Sequence, residues 1–89
     1  MRQPVRRVEK PWGHELIFAH TEKYVGKLLH IEPGEALSLQ FHHRKDETFF
    51  VARGGIELQV EEDGVMVPQR LEEGESYHVT PGTRHRMVA

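Results

Sequence analysis

Apolar residues recur at every second position far more often than at helical spacing, and Gly or Pro interrupts them every few residues. That pattern predicts short strands joined by tight turns, with no helix. Glu15-Leu16-Ile17-Phe18-Ala19 predicts a first strand, and Tyr24 to Ile31 a second, closed by the Pro33-Gly34 turn. Leu37 to His42 predicts a third. Arg44-Lys45-Asp46 is a polar connector, and Thr48-Phe49-Phe50-Val51 has the aromatic and β-branched character of a buried strand that ends at Gly54-Gly55. Ile56, Leu58 and Val60 alternate with Glu57, Gln59 and Glu61, and the Glu62-Asp63-Gly64 turn then leads into Val65-Met66-Val67, which predicts a hairpin. Pro68 and Gly74 bracket an expected polar linker. Tyr77-His78-Val79 resumes strand character, and Pro81-Gly82 turns the chain into His85-Arg86-Met87-Val88.

Many short strands without repeats or a boundary predict an all-β barrel or sandwich forming a single domain over 1–89, with 1–9 as an N-terminal arm that is flexible or exchanged between subunits. At 89 residues such a chain is near the lower limit for building its own core, and with no cysteine it has no disulfide to add. A bound metal or a partner subunit is the remaining source of stability. The balance of 12 basic against 14 acidic side chains leaves a formal charge of −2 without a basic block, so no nucleic-acid partner is expected. Arg2, Arg6 and Arg7 read as a solvated terminus. No apolar run follows them, and none approaches the roughly 20 residues that cross a bilayer. A cytoplasmic protein with no membrane partner is the expectation.

Chemistry enters through the third strand. Ser38, Gln40 and His42 share one face there, while Leu37, Leu39 and Phe41 share the other. The polar row faces either water or a ligand. Glu47 follows the connector at which the chain can reverse, so it can open a neighbouring strand facing His42. It also precedes Phe49 and Val51 on its own face, a costly setting for a carboxylate without a nearby cation. His85 follows the rigid Pro81-Gly82 turn. Gln40, His42, Glu47 and His85 together form a borderline-to-hard ligand set for one divalent metal ion, Zn²⁺, Mn²⁺, Fe²⁺, Co²⁺ or Ni²⁺. Open coordination positions on such an ion permit catalysis. His43 and Arg86 alternate to the opposite faces, and Trp12 reads as core packing or a pocket wall. His14, His20, His30 and His78 have no partners at ligand spacing.

The spacing resembles the two motifs of the cupin family. Gly34, Gln40, His42, Glu47 and Gly54 meet the first motif, and Gly74, Pro81, Gly82 and His85 the second. The resemblance implies a double-stranded β-helix, or jelly-roll barrel. Gln40 stands where His is more common, as it does in type II mannose-6-phosphate isomerases. The chain is similar to that branch over most of its length, through Pro11-Trp12-Gly13, Pro33-Gly34, Leu37-Ser38-Leu39-Gln40 and His42-His43. Arg44 and Lys45 replace that branch's next His and Arg. Lys27 falls at a lysine position of the branch, in line with Leu29 and Ile31, and is either a partner for a substrate phosphate or a snorkelling surface lysine.

In the resembled family a further strand follows the second motif, so the barrel is expected to be incomplete at its C-terminus or completed by exchange in a homodimer. The leading function implied is a metal-dependent aldose–ketose isomerase acting on a small-molecule substrate, a sugar phosphate such as mannose 6-phosphate. The residues identify no general base. The alternatives are an Fe²⁺-dependent dioxygenase and a non-catalytic module that binds a sugar or other small molecule.

Overall fold

The computed structural model describes residues 1–40 and 44–89. Eight strands and no helix form among them: β1 (Arg6–Lys10), β2 (Gly13–His20), β3 (Val25–Ile31), β4 (Glu47–Phe50), β5 (Gly55–Glu62), β6 (Val65–Glu72), β7 (Ser76–Val79) and β8 (His85–Val88). No helix is long and apolar enough to cross a membrane. The chain divides into two compact units, Met1–Glu35 and Ala36–Ala89.

The first unit is an antiparallel sheet in the order β1-β2-β3. Cross-strand register places Arg6, Ile17 and Lys27 in one row and Val8, Glu15 and Leu29 in the next, on the same face. The opposite face carries the row Glu9, His14 and His30. Part of the expected N-terminal arm is thus the strand β1, paired with β2 of its own chain. Charged side chains on both sides of β1 hide the alternation by which a strand is recognised. At the β2–β3 end, Gly13 has φ +149°, and a Cβ there would lie 2.0 Å from the carbonyl oxygen of His30. The Pro-Trp-Gly triplet therefore ends in the one residue that lets the two backbones approach.

The second unit contains the sheet β6-β5-β8 and the pair β4-β7, all antiparallel. The β5–β6 hairpin forms as its sequence predicts, because Asp63 (φ 50°) and Gly64 (φ 80°) both take the positive φ that a tight two-residue turn demands. The polar linker expected between Pro68 and Gly74 does not form. β6 runs through to Glu72, with Val67 and Gln69 half-buried and Leu71 buried at alternate positions. Pro68 is tolerated because β6 lies at the sheet edge, where a missing N–H need not break an inner ladder.

The strand expected from Leu37 to His42 is not continuous in its described part. Only isolated bridges pair Ala36 with Val88 and Gln40 with His85. Leu37 is buried while Leu39 is 52% exposed, so these two leucines do not share a buried face. Without a continuous ladder the period of two lapses between the bridges. Residues 41–43 of that segment lie outside the described residues.

Every buried hydrophobic residue described, namely Leu37, Val51, Leu58, Val60, Leu71, Val79 and Met87, belongs to the second unit. The one buried residue of the first unit is a carboxylate, Glu15. Protection against exchange follows buried apolar packing, so the amides of β1–β3 are expected to exchange faster than those of β5 and β8, as hydrogen-exchange NMR would show. Gly13→Ala is expected to abolish what protection β2 and β3 have while sparing β5 and β8. The strained φ alone costs on the order of 1–3 kcal/mol, before the clash with His30 is counted.

Candidate metal centre

Three of the four expected ligands come together in the second unit. Gln40 and His85 are directly opposite: the Gln40 N–H donates to the His85 carbonyl at 2.9 Å, and the His85 N–H to the Gln40 carbonyl at 3.0 Å. Glu47 opens β4 opposite Val79, and its side chain reaches His85, with Oε2 3.0 Å from Nε2. The fourth expected ligand, His42, and its neighbour His43 lie outside the described residues.

His85 begins β8 just after the Pro81-Gly82 turn, where Gly82 supplies φ +82°. The imidazole is 3% exposed and lies against the Phe49 ring, with centroids 5.8 Å apart. Its Nδ1 is 3.0 Å from the Thr83 carbonyl oxygen. A carbonyl only accepts, so Nδ1 carries a proton and donates it. The lone-pair position of a neutral imidazole is then Nε2, the atom that meets the Glu47 carboxylate. Both contacting atoms are shut off from solvent. A proton shared between the two atoms, or a cation held by both, makes this contact attractive. Lys45 supplies part of that charge, its Nζ lying 3.0 Å from Glu47 Oε1.

The pair fits a divalent ion. Ligand bonds of about 2.1 Å at right angles place donor atoms about 3.0 Å apart, the separation found between Oε2 and Nε2. With Nδ1 held by Thr83 and Oε1 by Lys45, each side chain turns one defined atom to the shared position, an outer arrangement typical of metal sites. Among the described residues no three His, Cys, Asp or Glu side chains are gathered to hold an ion. Glu47 and His85 are two of the expected set, Gln40 is an amide, and His42 is not described.

The sequence alone does not single out the holding contacts of Lys45 and Thr83, since both depend on side-chain direction at a turn. Tyr77 stands opposite Phe49, on the same face as Glu47, a position that spacing did not flag. Lys27 lies in the first unit, its Nζ 3.6 Å from Oε1 of the buried Glu15. Arg86 points to the other face of the β5–β8 pair, as alternation indicates, and donates to Gln59 Oε1 at 2.8 and 3.2 Å. Trp12 is half-buried.

An all-β, cupin-like protein, with Gln, Glu and His brought together beside a Pro-Gly turn, is the class these features define. Residues 2–89 match the family described as mannose-6-phosphate isomerase C-terminal, and the chain belongs to that family. It is 30% identical over 82 residues to the xanthan biosynthesis protein XanB of Xanthomonas campestris pv. campestris, an alignment covering 92% of this chain and 17% of that protein. To a mannose-1-phosphate guanylyltransferase of Escherichia coli it is 31% identical over 80 residues, covering 90% of this chain and 16% of the relative. The mannose-1-phosphate guanylyltransferase ManC of Salmonella typhimurium is likewise 31% identical over 80 residues, with the same coverage of 90% and 16%. The chain thus spans about one-sixth of the length of these relatives. No solved structure matches it significantly.

His85→Ala is expected to lower stability by roughly 1–3 kcal/mol in chemical denaturation, because it strips a buried partner from the Glu47 carboxylate. That is less than the roughly 3–5 kcal/mol typical of halving a fully buried pair, since Lys45 remains beside Glu47.

Proposed function

We propose that the chain holds one divalent metal ion through Gln40, His42, Glu47 and His85 and uses it to isomerise a sugar phosphate, mannose 6-phosphate to fructose 6-phosphate. The observation that carries this reading is the buried contact of Glu47 Oε2 with His85 Nε2 at 3.0 Å, aligned by Lys45 and Thr83. Membership in a family described by that isomerase, and relatives named for mannose 1-phosphate, support the substrate class.

The reaction moves one proton from C2 to C1 and one from the C2 hydroxyl to the C1 oxygen, through an enediol. When bound, the ion supplies Lewis-acid polarisation of the carbonyl and its neighbouring hydroxyl, which acidifies the C–H between them. Glu47 and His85 offer one atom each, at fixed orientation. The Gln40 amide oxygen adds a neutral donor, which leaves the site less negative than an added carboxylate would. Phe49 walls His85 against water, so charge developing nearby is less screened. Tyr77, on the face that carries Glu47, is the hydroxyl we assign to proton movement.

A non-catalytic sugar-phosphate-binding role is the second reading. It is supported by the small share of the relatives' length that this chain spans, about one-sixth. An iron-dependent oxygenase is the third, distinguished by activity with Fe²⁺ and O₂ alone.

Metal analysis of protein purified without added metal is expected to find one ion per chain in wild type and little in Gln40→Ala or His85→Ala. No ion in wild type, or full retention in both variants, defeats the proposal. Fructose 6-phosphate appearing from mannose 6-phosphate then selects the isomerase, whereas metal-dependent binding without turnover selects the second reading.

A further inference from the structure

On the face of the first unit that carries Glu9, cross-strand register sets His14 of β2 directly opposite His30 of β3. Their rings stack with centroids 5.1 Å apart and planes 22° from parallel. The His30 side chain is 57% exposed and His14 is half-buried, so solvent reaches the pair from the His30 side. A structural role explains stacking, but not the third group found there. His30 Nε2 lies 3.1 Å from Oε1 of Glu32, two residues along the chain.

An ionised carboxylate only accepts, so Nε2 carries the proton and donates it to Glu32. His30 Nδ1 is thereby left with the lone pair. This carboxylate–imidazole arrangement fixes the tautomer and the ring orientation, the role that outer carboxylates play around metal-bound histidines. Opposed residues on paired strands have Cβ atoms about 4.5–5.5 Å apart, and histidine χ2 is soft. A tilt of the two rings can bring a nitrogen of each to the roughly 2.0–2.1 Å of a zinc–imidazole bond.

We propose that His14 and His30 form a surface site for a divalent transition-metal ion of the Zn²⁺, Ni²⁺ or Cu²⁺ class, with Glu32 orienting His30. Imidazole donors select these ions over Mg²⁺ or Ca²⁺. Glu9 completes the row beside His14, and its Oε1 already accepts from Arg7 Nε at 2.5 Å, so it adds negative charge near the ion but is not a required ligand. The protein supplies two ligands, and water fills the other positions.

This site is separate in sequence and in unit from Glu47 and His85, so its test does not depend on theirs. Wild type titrated with Zn²⁺ alone is expected to bind one more ion per chain than the double variant His14→Gln, His30→Gln. Substoichiometric Ni²⁺ should broaden the ring signals of His14 and His30 in wild-type NMR spectra. Glu32→Gln, an exposed substitution, is expected to weaken that ion about tenfold or more. Equal ion counts in wild type and the double variant, ring signals of His14 and His30 untouched by Ni²⁺, or unchanged affinity in Glu32→Gln would each overturn the assignment.

Discussion

The contact between Glu47 Oε2 and His85 Nε2 constrains more of this structure than any other single interaction. To make it, β4 must begin where its first side chain reaches the start of β8. The Pro81-Gly82 turn must deliver His85 at the first position of its strand, and the Gln40 bridge pins that position from the other side. Phe49, two residues beyond Glu47, then falls against the imidazole. A carboxylate and an imidazole whose far nitrogen donates to Thr83 meet favourably when a proton or a cation lies between them, and Lys45 adds positive charge beside the other carboxylate oxygen.

Much of this was legible in the sequence because turns and alternation are local. The Asp63-Gly64 hairpin and the burial of Leu58 and Val60 follow from residue types within a few positions of one another, whereas Glu47 and His85 lie far apart in the chain and meet only in the fold. β1 was hidden because arginine, glutamate and lysine occupy both of its faces. β6 was cut short at Pro68, since sequence alone does not say which strand will be an edge. The regular strand read from Leu37 failed for a related reason: alternation describes a strand that is paired along its length, and this segment touches β8 at isolated points. The His14–His30 stack lay beyond reach altogether. Sixteen positions separate these residues, and only the β2–β3 register makes them neighbours.

The two units divide the physics unequally. The second holds the described apolar core, and Glu47 and His85 stand on its strands beside packed residues, which is what a precise site requires. The first buries no described hydrophobic side chain; its strands are held by backbone ladders and by the tight approach at Gly13.

That difference bears on Lys27. Its ammonium lies 3.6 Å from Glu15, the carboxylate that the first unit buries, in a row with Val8 and Leu29. An anion that drew Lys27 away would leave Glu15 buried beside apolar neighbours, and removing one partner of such a pair is costly. A phosphate must therefore share Lys27 with Glu15, and the two side chains together bring no net charge to meet it. Arg6 stands in the same row as Lys27, on the far side of Ile17, and is the cation on that face that restores a positive balance. Arg6 and Lys27 share that row only once the strands are in register, so an anion drawn to this face meets both cations rather than Lys27 alone.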